Sequence, residues 1–288
     1  MKHKFIFLLI LPSLFLPSCQ KQQEENIIYT SFYPLYDFTK RIVGDKFDVF
    51  NITPYGSEPH DYEPKAKEIV KMTKAKAVFI HGLELENYAS SLTSVLKKKV
   101  HTVSNDISTL NINNTVDPHT WLSIPKAIKE MENITNIICD IDKENENYYK
   151  ANFNTAKESF LSLDKEYREK IQTLNNKYLV VSHAAFGYLC DEYGLTQVYV
   201  SGLSPDEEPT AKGLENIIEK VKEYNVSTIF YEELVSDEIS KKIASETSVK
   251  VEVLNPLEGI SKEDEENGKD YLSIMKENLD KIMEALHD

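Results

Sequence analysis

Three histidines lie far apart in this chain, and each is framed by residues that favour a defined local structure. The three segments are EPHDYEP with His60, DPHTWL with His119 and VVSHAAF with His183. Imidazole is the commonest protein ligand for transition metals, and a zinc site needs only three or four such donors. If the three histidines converge, they form a metal site. A fourth donor then decides whether the protein holds the metal or uses it in catalysis.

The elements that must position these histidines follow an alternating pattern of strand and helix. Short apolar runs predict strands at 27–31, 47–53, 77–81, 178–182, 197–200, 228–231 and 250–254. Helical periodicity lies between them, at 35–43, 65–74, 86–97, from Pro125 onward and from 270 to the end. Two blocks of this order predict an α/β protein with two lobes, each a mainly parallel sheet flanked by helices.

The most regular stretch of the chain lies between the two blocks. Apolar residues recur every three or four positions from Tyr149 to Leu174, with charged residues on the other faces and no Gly or Pro. This pattern predicts one amphipathic helix of roughly 30 residues, about 45 Å long. A coiled-coil dimer helix is the alternative, but alanine and aromatic residues are not typical of a coiled-coil seam. We interpret the helix as a rigid strut between the lobes, so a large hinge motion is not expected.

The amino terminus has the features of an export signal. Lys2 and Lys4 precede an apolar run that ends at Leu16 and is too short to span a bilayer. The run ends in LPSC, which resembles the bacterial lipoprotein signal, in which the cysteine becomes the lipid-modified first residue of the mature protein. Cys19 is therefore predicted to carry a lipid that anchors the protein at the outer face of a membrane. An ordinary secretory signal with an incidental cysteine is the alternative.

These features predict five parts along the chain. They are a signal peptide (1–18), a polar tether (19–25), an α/β lobe (26–144), a linking helix (145–175) and a second α/β lobe (176–288). The length of 288 residues and the 41% hydrophobic content suffice for two such lobes.

The net charge of -14 argues against a nucleic-acid partner, because such binding relies on Lys and Arg to neutralise phosphates. Cys139 and Cys190 are predicted to be buried thiols in different halves of the molecule, not a disulfide.

Four candidate ligands fall where parallel α/β sheets bind ligands, beyond the carboxyl ends of strands. His60, His183 and Glu258 each follow a predicted strand, and His119 lies in a loop before a helix. Two donors therefore come from each side of the linking helix, which favours a site in the cleft between the lobes. His81, at the end of another strand, is predicted to be a structural histidine. Spacing alone leaves open whether the four candidates are ligands or ordinary loop residues.

Together the motifs resemble the metal-binding solute-binding proteins of bacterial ABC importers, the group that handles zinc, manganese and iron. The resemblance covers essentially the whole mature chain, in the segments TSFYP (30–34), EPHDYEP (58–64), DPHTWL (117–122), EPT (208–210), TIFYE (228–232) and LNPLE (254–258). It implies two α/β lobes joined by one long helix, with the metal between them. It also implies that His60, His119 and His183 bind the metal, with an acidic side chain or water in the fourth position.

Differences from the family pattern favour zinc. Manganese-binding members resemble an arrangement of two histidines and two carboxylates, with an acid at the position of His183. Three imidazoles and one carboxylate favour zinc, because manganese prefers more oxygen donors. Some members have Asp where Asn255 stands, and an amide is a poorer ligand, so Glu258 is predicted as the fourth ligand. The segment at 111–116 is short and lacks histidine, so an auxiliary metal-gathering site is not expected.

The predicted function is that of an extracytoplasmic, lipid-anchored receptor that captures Zn²⁺ and delivers it to the permease of an ABC importer and, indirectly, its ATPase. The receptor is predicted to be a monomer without catalytic residues. A manganese or iron receptor of the same family is one alternative. A zinc hydrolase is another, but the chain has no HExxH helix or GxSxG turn, and a fourth ligand at Glu258 leaves no position for water. A surface adhesin is a third, although no segment encodes such binding.

Overall fold

The chain folds into two lobes, each built on a four-stranded parallel sheet flanked by helices. The structure is a computed structural model that describes residues 25–205, 210–232 and 238–287. The predicted signal peptide, the anchor at Cys19, and Glu208 and Pro209 of the EPT segment lie outside the described residues. The predicted fold class is confirmed.

The first lobe contains four parallel strands and four helices. Its strands are β1 (Ile27–Thr30), β2 (Asp48–Asn51), β3 (Ala77–Ile80) and β4 (Val100–Thr102), paired in the order β2-β1-β3-β4. Its helices are α1 (Tyr33–Val43), α2 (Ala66–Met72), α3 (Ala89–Leu96) and α4 (Ile124–Ile141). A short antiparallel hairpin precedes the His119 loop and consists of β5 (Asn111–Ile112) and β6 (Thr115–Val116).

Different helices cover the two faces of this sheet. Ala77 and Phe79 of β3 belong to the core that includes α1 and α4, whereas Val78 and Ile80 pack with residues of α2 and α3 such as Leu92. Because successive side chains of a strand point to opposite faces, α1 and α4 lie on one face and α2 and α3 on the other. All four residues of β3 are buried, as expected for a parallel strand covered on both sides.

A long helix, α5 (Glu146–Ile171), follows the first lobe and spans 26 residues, about 39 Å. Its buried stripe includes Tyr149, Phe160 and Tyr167, as the periodicity predicts. The helix is a few residues shorter than the predicted length of roughly 30 residues, because the chain turns away after Ile171. The existence of the helix is therefore confirmed, and only its end differs.

The second lobe repeats the architecture of the first. Its strands are β7 (Tyr178–Val181), β8 (Thr196–Tyr199), β9 (Thr228–Tyr231) and β10 (Lys250–Val253), paired in the parallel order β10-β9-β7-β8. Its helices are α6 (Gly187–Tyr193), α7 (Ala211–Glu223), α8 (Glu238–Thr247), α9 (Lys262–Glu266) and α10 (Tyr271–Leu286). Because β7 and β9 are neighbours, the residues that follow them lie side by side at the carboxyl edge of the sheet.

A continuous hydrophobic core joins the two lobes. Phe160 of α5 stacks on Tyr271 of α10 with ring centroids 4.9 Å apart, and Phe38 of α1 packs edge-on against both rings. Beside them, Arg41 of α1 bonds to Asp270 at 2.6 Å. Helix α10 thus follows the second sheet in sequence but begins against the first lobe. This shared packing supports the interpretation of a rigid connection between the lobes.

Replacing Phe160 by alanine is expected to lower the free energy of unfolding by about 3–5 kcal/mol, because it removes a fully buried ring from the shared core. Leu161→Ala, one residue further along the same helix, is the control: its side chain is 46% exposed, so its loss costs less than about 1 kcal/mol. Urea denaturation followed by circular dichroism measures both values. Equal losses for the two variants would contradict a core that runs through α5.

Candidate metal site

Four predicted ligands converge between the lobes. One ligand atom from each of His60, His119, His183 and Glu258 lies within 4.8 Å of every other. The Nε2 atom of His119 is 3.3 Å from Nε2 of His60, 3.4 Å from Nε2 of His183 and 2.9 Å from Oε1 of Glu258. The same Glu258 oxygen is 3.2 Å from Nε2 of His60 and 3.5 Å from Nε2 of His183. The structure therefore brings together all four residues that the sequence nominates.

These distances are close to the edges of a tetrahedron around a zinc ion. Zinc lies about 2.0–2.2 Å from imidazole nitrogen and carboxylate oxygen, so tetrahedral ligands are separated by about 1.6 times that length, or roughly 3.3–3.6 Å. Three of the separations, 3.3, 3.4 and 3.5 Å, fall in this range. The distances from Glu258 to His60 and His119 are shorter, at 3.2 and 2.9 Å. The donor set of three nitrogens and one oxygen is also one that zinc accepts readily.

Each ligand is presented by a loop or turn at the carboxyl edge of a sheet. His60 lies in the loop after β2, where Asn87 donates a hydrogen bond to its backbone carbonyl at 2.8 Å. His183 lies two residues after the end of β7, and Glu258 lies five residues after the end of β10. The Oδ1 atom of Asn255 accepts the Leu257 N–H at 2.7 Å and so belongs to the hydrogen bonding of this turn. That bond shapes the turn that carries Glu258.

Asp117 orients the ring of His119. One carboxylate oxygen of Asp117 lies 2.7 Å from Nδ1 of His119 and accepts the backbone N–H of the same residue at 3.0 Å. With its proton held on Nδ1, the neutral imidazole presents the lone pair of Nε2 to the site. Burial lowers the pKa of His119, but the hydrogen bonds to Asp117 and Glu258 outweigh burial and raise it above its ordinary value.

Glu232 supports His183 in the same way from a neighbouring strand. It follows β9, and its Oε1 lies 2.5 Å from Nδ1 of His183 and also accepts the hydroxyl of Ser182. Burial lowers the pKa of His183, whereas the charges of Glu232 and Glu258 raise it, and the net result lies well above its ordinary value. Sequence reasoning did not assign a role to Asp117 or Glu232. Two signals in the sequence could have indicated these supporting roles: the acid in the DPH motif and the acid at the end of the TIFYE segment.

The carboxylate of Glu258 is the buried negative charge of the site, with a side chain only 1% exposed. Burial alone would raise its pKa, but the charge of His183 and hydrogen bonds from the histidines hold it well below the ordinary value. Nearby, burial and the charge of Glu258 raise the pKa of Glu58 to about 9. With the pKa of Glu58 raised and that of Glu258 lowered, this pair contributes a single carboxylate charge to the site at neutral pH.

His81 lies behind the site and contacts the loop that carries His119. Its fully buried ring places Nε2 2.7 Å from the carbonyl of Pro118, which precedes His119. Burial lowers the pKa of His81 to about 3, so the ring is neutral and its Nε2–H donates to that carbonyl.

Cys139 and Cys190 are buried and free, which confirms the prediction that they do not pair.

Two side-chain hydrogen bonds to backbone carbonyls also join the lobes next to two of the candidate ligands. Trp121 lies two residues after His119, and its indole N–H donates to the carbonyl of Pro256 at 2.8 Å. Pro256 in turn lies two residues before Glu258. The hydroxyl of Tyr271 donates to the Trp121 carbonyl at 2.6 Å. These two bonds fix a ligand segment of the first lobe against a ligand segment of the second.

Two α/β lobes with a set of histidine and carboxylate donors in the cleft between them define a metal-binding solute-binding protein. The chain belongs to the family of ZnuA, the periplasmic component A of the zinc-uptake complex, whose profile matches residues 28–285. The predicted resemblance is thus confirmed. Membership in a transport family also confirms that the chain is not an enzyme and contradicts the hydrolase alternative.

Three relatives illustrate the similarity. The high-affinity zinc uptake system protein ZnuA of Bacillus subtilis (strain 168) is 37% identical over an alignment that covers 93% of this chain and 90% of that protein. The zinc-binding lipoprotein AdcA of Streptococcus pneumoniae (strain ATCC BAA-255 / R6) is 36% identical over 97% of this chain, which spans only 60% of AdcA. The crystal structure of the Zn(II)-bound ZnuA-like domain of Streptococcus pneumoniae AdcA superposes with a TM-score of 0.81 at 36% identity, covering 91% of this chain and 99% of that structure.

Replacing Glu232 by glutamine is expected to weaken zinc binding by about 10- to 100-fold, because the amide no longer fixes the Nδ1 proton of His183. Glu252→Gln makes the same chemical change at an exposed position of β10 and is expected to leave zinc binding unaltered. Competition with a chromophoric chelator measures both affinities. Equal affinities in the two variants would contradict the supporting role of Glu232.

Proposed function

We propose that this chain is the extracytoplasmic receptor of an ABC zinc importer and that His60, His119, His183 and Glu258 are its zinc ligands. The observation that carries the proposal is the convergence of these four donors from both lobes. Membership in a zinc-uptake family supports the transport role. The three imidazoles support zinc over manganese, which prefers more oxygen donors.

The composition of the site suits carriage of the ion more than chemistry on a substrate. Four protein donors fill a tetrahedral shell and leave no position at which zinc could activate a water molecule. Asp117 and Glu232 hold two of the imidazoles in the orientation that an ion requires, so little rearrangement is needed when zinc enters. The receptor is therefore expected to bind zinc tightly and to release it only when the shell is opened.

His60 is the ligand through which the site is expected to open. Its side chain is 12% exposed, whereas those of His119 and His183 are completely buried. It also lies in a loop of the first lobe that follows β2 and is not part of the shared core. Displacement of this loop would remove one donor and expose the ion without separating the lobes.

The proposed partners are the permease of the importer, its ATPase through the permease, and a membrane reached through a lipid on Cys19. One relative, AdcA of Streptococcus pneumoniae, is named a lipoprotein, which supports the anchor. In the part of the chain that the structure describes, no helix is both long enough and apolar enough to cross a bilayer. The receptor is proposed to act as a monomer, with its two lobes providing the complete site.

Zinc is expected to displace manganese from the purified mature chain and not the reverse. Dialysis against equal concentrations of the two ions, followed by elemental analysis, should recover about one zinc per chain and little manganese, because three of the four donors are nitrogens. Retention of manganese in preference to zinc would overturn the metal assignment. It would favour the alternative of a manganese receptor of the same family.

Zinc affinity is expected to fall as the pH is lowered. In the metal-free protein the pKa values of His119 and His183 are raised, so both rings hold protons at pH values above the ordinary imidazole pKa. Zinc must displace these protons, so affinity decreases through the neutral range and below it, by about tenfold per pH unit for each proton displaced. Chelator competition at several pH values between about 8 and 5.5 measures the slope. A flat dependence would contradict coordination by these imidazoles.

A further inference from the structure

Six lysines cluster at the amino-terminal edge of the first sheet, at the end of the lobe farthest from the metal ligands. We call this surface the lysine edge; it consists of Lys71, Lys74, Lys76, Lys97, Lys98 and Lys99. The lysines surround the carboxyl ends of α2 and α3, which lie on the same face of the sheet. The two groups are in direct contact, because Nζ of Lys99 donates to the carbonyls of Thr73 and Ala75 at 2.9 and 2.8 Å.

Three of these six lysines, Lys71, Lys97 and Lys98, are exposed and do not stabilise the fold through an ion pair among the described residues. Two exposed apolar side chains lie beside them, in the last turns of α2 and α3: Val70 is 66% exposed and Val95 is 53% exposed. Exposed apolar residues among lysines are typical of surfaces that meet the headgroup region of a membrane.

The chain enters the first lobe at this same edge. The backbone N–H of Glu25 donates to the carbonyl of Lys74 at 3.0 Å, and their side chains pair at 3.2 Å. Only six residue steps separate Glu25 from Cys19, a span of at most about 21 Å when fully extended. If Cys19 carries the lipid, as the proposed function holds, the lysine edge cannot move far from the bilayer surface.

The charge distribution also favours one orientation. The whole chain has a net charge of -14 and is repelled by an anionic surface, whereas the lysine edge is attracted to it. Asp48, at the start of β2, and Asp45 also lie at the amino-terminal edge of the sheet, but on the other side of β1, and Asp140 and Asp142 lie at the end of α4. The positive surface is therefore confined to the part of this edge next to α2, α3, β3 and β4, which borders the point where the chain enters the lobe.

We propose that the lysine edge, with Val70 and Val95, rests on the anionic lipid surface of the membrane that holds the Cys19 anchor. The first lobe then stands on the bilayer by its amino-terminal edge. The metal ligands follow the carboxyl ends of the strands, so in this resting orientation the cleft lies at the opposite end of the lobe, away from the headgroups, and the contact must be released before the ion is delivered to the permease. Each lysine near such a surface strengthens the contact roughly fivefold, and the contact weakens at high salt.

The test uses the full lipid-modified mature chain in vesicles of phosphatidylcholine with or without phosphatidylglycerol. A polarity-sensitive dye on a Val95→Cys variant reports membrane contact, since Cys139 and Cys190 are buried. The dye emission is expected to shift to the blue only in vesicles that contain phosphatidylglycerol, and this shift is expected to disappear in high salt. Replacing Lys71, Lys97 and Lys98 by glutamine should lower the ratio of contacting to detached lobes by about 100-fold.

A matched variant replaces Lys212, Lys220 and Lys222 of α7 by glutamine. It changes the net charge equally, but on the second lobe, and should retain the blue shift. Zinc titration of the same samples should give one affinity for all variants, which shows that the fold and the proposed receptor function are intact.

Failure to associate with phosphatidylcholine vesicles would count against the Cys19 anchor alone. An equal dye signal in both lipid compositions, or an equal effect of the two triple variants, would overturn the lysine edge as a membrane contact.

Discussion

The hydrogen bond from the Trp121 indole to the Pro256 carbonyl, 2.8 Å long, is the contact on which the metal site most directly depends. It links the segment that carries His119 to the segment that carries Glu258, and these two ligands come from different lobes. Trp121 is fully buried, so leaving its N–H without an acceptor would cost about 1–3 kcal/mol. The bond thereby favours the one lobe arrangement in which the His119 and Glu258 donor atoms lie 2.9 Å apart.

Charge balance is the second constraint on the site. A buried carboxylate such as Glu258 is costly unless positive charge lies next to it. In the metal-free protein that charge comes from protons on the imidazoles, which explains why the pKa values of His119 and His183 are raised while that of Glu258 is lowered. Zinc replaces these protons and serves the same electrostatic role. In electrostatic terms, loading is thus an exchange of imidazole protons for a zinc ion.

The sequence was sufficient for the local features of the site but not for the contacts that join them. Strand ends followed by histidine or glutamate nominated three of the four candidate donors, His60, His183 and Glu258, because parallel sheets present their carboxyl edges to ligands. His119 was nominated from the DPH motif in a loop before a helix. The pairing of Glu232 with His183 depends on β9 lying beside β7, an order that periodicity does not reveal. The bond from Trp121 to Pro256 likewise joins residues 135 positions apart. The end of α5 was misplaced by a few residues because its apolar stripe continues past the point where the chain turns.

X-ray absorption at the zinc edge of the zinc-loaded chain tests the central claim most directly, because it counts the ligands of the ion. The account predicts a four-coordinate ion with three imidazole nitrogens and one carboxylate oxygen, all about 2.0–2.2 Å away, and no water ligand. A shell with fewer than three imidazoles, or a five- or six-coordinate shell that includes water, would contradict a closed site formed by His60, His119, His183 and Glu258.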